Sequence, residues 1–421
     1  MTNKNVYAFI LLLFFGIGCT PKMAEVLPEV PKLPIPAIQK VDSGLSSERL
    51  KRIDSFLEKE LVANKIPGVV TLVKRKGVLA YSKAHGPKSP DDPTPINMDE
   101  VFYIQSMTKP IVSVAFMMLY EEGYFQLNDP VSKYIPEFSD MKVASSHQKE
   151  GRTLIDAENP ITIANALSHT AGLSHGLGLT ELEKEYLSAL YFTQHENIEA
   201  RVKALANMPL IGQPGEQWYY SASPDILAYL IEKASGMTCA EYLQQKIFDP
   251  LGMNDTGYNM KPKTENRKAY LYRTEDDGTM AENPNQTPSN GHTIYGGTHG
   301  LFSTAADYMK FCEMLLNGGK ANGKVFLGKK TLELMTTNFL KEGQSSGKGQ
   351  GFGLGFGINE DLAASGNLGS KGTYYWGGAY NTYFFIDPTE EMIGVMMMQF
   401  TPYTDFYSQK FRQLTYQAIV D

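Results

Sequence analysis

Three places in the chain set a serine three residues ahead of a lysine: Ser106-Met-Thr-Lys109, Ser146-His-Gln-Lys149 and Ser345-Ser-Gly-Lys348. On a helical turn this spacing brings hydroxyl and amine onto one face. There an amine that has lost its proton can activate the serine for attack on an acyl carbon. Context separates the three. Pro110 has no N–H to donate and is tolerated only in a first helical turn, so the apolar helix that follows must begin at or beside Ser106. The hydroxyl and its own N–H then lie at the positive end of the helix dipole, where a developing oxyanion is favoured. Apolar surroundings also lower the pKa of Lys109 toward that of a useful base. Ser146 lies in polar "SSHQKEGR" and Ser345 in glycine-rich "GQSSGKGQ", neither of which offers burial or a rigid mount. A plain helix N-cap at Ser106 would show the same spacing and burial, and these alone do not choose between the two.

A rival nucleophile pattern, G-x-S-x-G, occurs at Gly172–Gly176 and Gly343–Gly347. It needs a strand before the serine and a helix after it, above a parallel sheet. The preceding "ITIANALSHTA" reads instead as a short amphipathic helix with Ile163, Ala166 and Leu167 on one face, so a turn beside the active cleft is expected. His169 with His175, or His292 with His299, can be posed as metal ligands, but H-E-x-x-H and clustered cysteines are missing. No metal and no cofactor is expected, and His299 is read as structural or cleft-lining.

These residues need a scaffold. The chain has 421 residues, 42% hydrophobic and 20% charged, with net charge -7, an ordinary balance for a globular protein with a large core. The acidic charge and the lack of a Lys/Arg-rich run argue against a nucleic-acid partner. "GVVTLVKRKGVLAYSKAHG" (68–86) reads as a hairpin around Lys76-Gly77, "GFGLGFGI" (351–358) as a strand, and "YYWGGAYNTYFFIDPTEEMIGVMMMQF" (374–400) as a hairpin turning near Asp387-Pro388. Between them stand the buried helix after Ser106, a capped helix at 304–319 beginning Thr304-x-x-Asp307, and a helix over 404–421. Hairpins at both ends of the chain imply an α+β fold, an antiparallel sheet flanked by helices, with the terminal strands sharing one sheet. The sheet region covers about 44–125 and 286–421, and a mostly helical region about 126–285. Cys239 and Cys312 fall in helical segments and are read as buried small hydrophobes, although sequence alone does not judge a bridge between them.

The first residues, "MTNKNVYAFILLLFFGIGCTPK", combine Lys4, an apolar run from Val6 to Ile17 and a small-residue stop. The run is short for a membrane span and fits a secretory signal. Ending in Gly18-Cys19, it resembles a bacterial lipoprotein signal (residues 1–18), which implies lipidation of Cys19, although Gly16 stands where that motif usually has Leu. Residues 21–36 carry Pro21, Pro28, Pro31, Pro34 and Pro36, so residues 19–43 read as an extended tether ahead of a catalytic domain at 44–421. A membrane partner through the lipid anchor and a cell-envelope location are the corresponding expectations.

The stretch "YIQSMTKPIVSVAFMMLYEEGYFQLNDPVSKYIPEF" strongly resembles the serine β-lactamase-like superfamily, in its class C and family VIII carboxylesterase branch. "ITIANALSHTAGL", "QPGEQWYYSASPDILAYLIEKASG", "IFDPLGMNDTGY" and "GTHGLFSTAADYMKFCEMLLNGG" are similar to its later landmarks and follow in the same order across residues 45–421. The resemblance implies a β-lactamase/transpeptidase-like fold and an acyl-enzyme on Ser106. Lys109 is implied as its partner and Tyr220 as the tyrosine that assists proton transfer, with adjacent Tyr219 as the alternative. Locally, Ser223-Pro224-Asp225 reads as the cap of a helix, which leaves Tyr220 on its entering loop. Trp376-Gly377-Gly378 corresponds to the family's Lys-Thr-Gly, and the N–H groups of Ser106 and Ala379 to its oxyanion hole. Trp376 lacks the lysine charge that helps hold a β-lactam carboxylate, and Ala222 lacks a side-chain amide. Together these departures remove roughly 2–4 kcal/mol of β-lactam recognition and favour esters. The expected activity is therefore hydrolysis of a small-molecule carboxylic ester. Acyl transfer, D-aminoacyl peptidase or β-lactamase chemistry and a non-catalytic ligand-binding lipoprotein are the alternatives. Sequence does not assign the base between Lys109 and Tyr220.

Overall fold

A computed structural model describes residues 42–89 and 92–421. Helix α1 (Ser47–Val62) is capped by the Ser46 hydroxyl. The first hairpin follows as β1 (Val69–Arg75) and β2 (Val78–His85), with Lys76 and Gly77 both at positive φ, as a two-residue hairpin turn requires. Helix α2 (Thr108–Glu121) is the buried one: from Thr108 to Met117 every side chain is inside. Helices α3 (Ile163–Ser168), α4 (Pro224–Ser235) and α5 (Ala305–Leu316) come next. The chain then returns to the sheet as β3 (Gln350–Phe352), β4 (Gly357–Asn359), β5 (Tyr374–Gly378), β6 (Thr382–Asp387) and β7 (Met392–Met397). It ends in α6 (Phe406–Tyr416).

The strands form one seven-stranded sheet in the order β3-β4-β5-β6-β7-β1-β2, antiparallel at every pairing. The first and last parts of the chain meet where β1 pairs with β7, Val70 opposite Met397. Because side chains alternate along a strand, Tyr383 and Phe385 of β6 face one layer while Phe384 and Ile386 face the other. Leu50, Ile53 and Leu57 of α1 pack with Tyr407 and Phe411 of α6 on the first face. Helices α2 and α5 belong to the core on the second. Strands β6 and β7 are buried at all positions, as central strands covered on both sides must be.

Several expectations need correction. The 351–358 segment is a tight hairpin and not one strand: Gly353 N donates to Phe356 O, and Gly355 at φ +99 lies where a Cβ would meet Ser113 Oγ of α2 at 2.4 Å. Within the mostly helical 126–285 stretch two short hairpins occur, Lys142–Ala144 paired with Leu154–Asp156 and Tyr272–Thr274 with Met280–Glu282. Ser223 stands at the N-cap of α4 with Pro224 after it, but its hydroxyl makes no capping bond and donates to Ala166 O at 2.7 Å instead. Thr304 caps α5, but Asp307 does not close the box and instead accepts from Asp255 N and Thr256 Oγ1. Cys239 and Cys312 are both buried and unbridged. The signal segment, Cys19 and all but the last two residues of the tether lie outside the described residues.

Candidate active site

Ser106 sits in a 3-10 turn, Gln105–Met107, that runs directly into α2. Gln105 holds φ +48, a left-handed conformation that costs a non-glycine residue about 1–2 kcal/mol and bends the chain just before the serine. The turn is pinned on both sides: Ile104 N donates to Leu301 O at 2.9 Å, and Tyr308 Oη to Met107 O at 3.0 Å. No side chain caps α2. The Ser106 hydroxyl is occupied otherwise, accepting from Lys109 Nζ at 3.1 Å and Tyr220 Oη at 2.7 Å. The N-cap reading of Ser106 therefore does not describe this turn.

Lys109 is 1% exposed. Burial holds its amine well below the ordinary lysine pKa, with Arg201 adding to that and Asp225 opposing it. Its second bond goes to Thr298 O at 2.8 Å. Thr298 N in turn donates to Asp225 Oδ1 at 2.8 Å, and Asp225 Oδ2 accepts from Arg201 Nε at 2.7 Å. A buried ion pair thus fixes the backbone carbonyl that fixes the amine. Arg201 Nη1 also reaches Leu190 O at 2.5 Å.

Tyr220 lies on the loop entering α4, as expected, and Tyr219 does not share its place, since its hydroxyl donates to Gln217 Oε1 at 3.1 Å. Aromatic rings grip Tyr220: His175 stacks on it at 5.1 Å and 15°, and Trp218 at 6.1 Å and 23°. The Lys109 amine stands 4.6 Å from its ring centre. Burial raises the phenol's pKa, so the hydroxyl keeps its proton at neutral pH. Burial also holds His169 and His175 neutral. They do not form a ligand pair, because His169 Nδ1 is bonded to Ser221 Oγ at 2.9 Å while His175 reaches Tyr191 Oη. His299 lines the cleft with a pKa lowered to about 3 by burial.

The opposite wall is β5. A Cβ at Gly378 would lie 2.4 Å from Ile104 O, so only glycine lets the strand close against the Ser106 turn. Thr382 Oγ1 donates to that same carbonyl at 3.3 Å. Trp376 meets Tyr220 at 5.6 Å and packs edge-on to Phe352 at 5.1 Å. Trp376, Gly377, Gly378 and Ala379 line the same cleft as Ser106 and Tyr220, a cavity of about 990 Å³. Hydroxyl, amine, phenol and the Trp-Gly-Gly strand are therefore brought together.

The rival serines are placed elsewhere. Ser174 is buried with its hydroxyl on Glu183, in a turn that contributes His175 to the cleft. Ser345 bonds to Gln350 O at 3.0 Å, and Ser146 accepts from Gln148 N at 3.1 Å. Four groups escaped sequence reasoning: Thr298, Asp225, Arg201 and the stacking role of His175. A backbone carbonyl has no side-chain signature, and the other three look like ordinary helix and loop residues. The one signal was Gly296-Gly297 before Thr298, where a Cβ at Gly297 would lie 1.9 Å from Pro224 O.

The family model described as Beta-lactamase matches residues 53–417. The methylbutanoyltransferase mlcH of Penicillium citrinum, which acts on ML-236A carboxylate, is 25% identical over 91% of this chain and 97% of its own. Esterase EstB of Burkholderia gladioli is 26% identical over 80% of this chain and 86% of its own. The solved structure of EstCE1, a hydrolase with promiscuous acyltransferase activity, superposes with TM-score 0.76 at 23% identity, covering 88% of this chain and 99% of its own. An acyltransferase and an esterase thus each match most of the chain, and the structural match covers sheet and helices alike. The chain belongs to the Beta-lactamase family, as a member of its serine hydrolase and acyltransferase group.

Proposed function

We propose that the protein is a serine esterase that works through an acyl-enzyme on Ser106. The observation that carries this is the convergence of a buried amine and a protonated phenol on one hydroxyl oxygen. The neutral amine of Lys109 takes the Ser106 proton as Oγ bonds to the ester carbonyl carbon. The N–H groups of Ser106 and Ala379 receive the oxyanion. On collapse the C–O bond to the alcohol breaks, and the alkoxide takes its proton from Tyr220, which Lys109 reprotonates. Water then repeats the sequence on the acyl-enzyme, releasing the acid and Ser106. Trp376 offers no charge for a β-lactam carboxylate, which supports esters over β-lactams. Mixing the protein with p-nitrophenyl acetate should give a Ser106-dependent nitrophenol burst and labelling of Ser106 by a fluorophosphonate. Neither signal with correctly folded protein would refute the reading.

A second acceptor is favoured by one observation: the cleft is large enough for an acyl group and an alcohol together. Adding alcohols to the ester assay and analysing the products separates transfer from hydrolysis. On the sequence alone we also propose export and lipid attachment at Cys19, so Cys19→Ala should move the protein from the membrane to the soluble fraction.

A further inference from the structure

Arg75, Arg201 and Arg412 are buried, with 4%, 5% and 4% of their surface exposed. Two are neutralised. Arg75 meets Glu390 at 2.8 Å and Asp421 at 2.7 Å, and Arg201 meets Asp225 at 2.7 Å. Arg412, on α6, is different: among the described residues no carboxylate lies within ion-pair distance, and its buried Nε and Nη2 have no hydrogen-bond partner. Its guanidinium stands instead 5.6 Å from the Tyr375 ring centre and 5.8 Å from that of Tyr416, and its one hydrogen bond among the described residues is to the uncharged Tyr383 phenol. The nearby acids are engaged elsewhere. Asp387 accepts from Tyr416 Oη at 2.6 Å and Thr373 Oγ1 at 3.0 Å. Asp405, which lines the cleft, is exposed and accepts from Gln409 Nε2 at 2.8 Å.

A buried cation without a counter-ion is costly, and ring faces compensate for only a small part of that. Arg412 keeps its charge, as a guanidinium does throughout the neutral range. It also lines the cleft that holds Ser106 and Tyr220. A guanidinium fork matches a carboxylate in bidentate fashion, and an apolar aromatic surround strengthens such a pair. We infer that Arg412 is the anion-recognition residue of this cleft, and that the substrate is an ester whose acyl chain ends in a carboxylate, held at Arg412 while its ester carbonyl lies at Ser106. The charge missing at Trp376 is thereby supplied from another element. For the reaction this rests on the esterase reading; for binding it does not.

The test pairs mono-p-nitrophenyl adipate with p-nitrophenyl hexanoate, which differ by carboxylate against methyl at the chain end. The wild-type protein should favour the adipate ester in kcat/KM by at least about tenfold. Arg412→Gln should bring that ratio to about one, and Arg412→Lys, which keeps charge but loses the fork, should retain part of it. A ratio at or below one in the wild type, or an unchanged ratio in Arg412→Gln, would overturn the inference. A second measurement covers a variant that fails to fold, or a protein that turns over neither ester. Calorimetry with the Ser106→Ala protein should show adipate binding at least about tenfold tighter than adipamide. Equal binding, or none, would overturn the inference independently of the chemistry.

Discussion

On the helical wall of the cleft, Lys109, Thr298, Asp225 and Arg201 pass hydrogen bonds from one to the next, and among the described residues of that wall Arg201 Nη2 and Trp218 Nε1 are buried without a hydrogen-bond partner. On the opposite wall, formed by β5 and α6, Trp376 Nε1 and Arg412 Nε and Nη2 are buried with no hydrogen-bond partner among the described residues, although Trp376 leans toward Tyr220 and Arg412 toward Tyr383. The difference matches the two tasks. Groups that move protons must already be held in place before substrate arrives, because reorganisation during the reaction adds to the barrier. Groups that recognise a substrate gain most when the substrate itself supplies their missing partners. On the proposed reading, acyl chemistry belongs to the first wall and specificity to the second.

The contrast can be broken by substitution. The largest effect is expected at Ser106: its change to alanine should remove at least about a thousandfold of ester turnover, because the covalent route is lost. Lys109→Met follows, with a loss of about a hundred- to ten-thousandfold. Wild-type kcat/KM for a neutral ester should rise with pH and level off well below the ordinary lysine pKa, because Lys109 acts once deprotonated, and that inflection should vanish in Lys109→Met. The same depressed pKa makes the unfolded chain hold one more proton between the folded and unfolded values, so this group's contribution makes the protein more stable as pH rises through that window. Denaturant melts at several pH values would show it.

Asp225→Ala strands Arg201 as an uncompensated buried charge and should cost about 3–5 kcal/mol in denaturant unfolding. On the sheet wall the opposite is expected. Trp376→Phe keeps an aromatic ring in place and removes one indole N–H that leans on Tyr220, so stability should change by less than about 1 kcal/mol while KM rises. If Trp376→Phe destabilised as much as Asp225→Ala, the distinction between the walls would be lost. Smallest of all is Glu313→Gln, which breaks the partly exposed Lys74–Glu313 pair at 2.6 Å and should cost under about 1 kcal/mol.

Ser106 and Lys109 were legible because Pro110 fixes where a helix can start and the apolar run after it fixes how deep that helix lies. The closing of the two ends into one sheet was legible from hairpin patterns at both ends. Tyr220 required the resemblance, since a tyrosine on a loop has no spacing signature of its own. The 351–358 hairpin was misread because glycines alternating with apolar residues look alike in a strand and in a tight turn. Ser223 was legible at the cap position because a serine ahead of a proline suits it, but tertiary contact with Ala166 took its hydroxyl. Arg412 was invisible for a different reason: an arginine on an amphipathic helix reads as solvated until the packing of Tyr375 and Tyr416 around it is known.

The pairing of β1 with β7 joins residues as distant in the chain as Lys74 and Ile393. During synthesis the first hairpin therefore leaves the ribosome roughly three hundred residues before its partner strand exists, and contacts so remote in sequence make for slow folding. Until then the nascent chain carries an unsatisfied strand edge with Val70 and Leu72 uncovered, the kind of surface on which chains aggregate. Translation stalled before β7 should thus yield a species that depends on a holdase chaperone to stay dispersed.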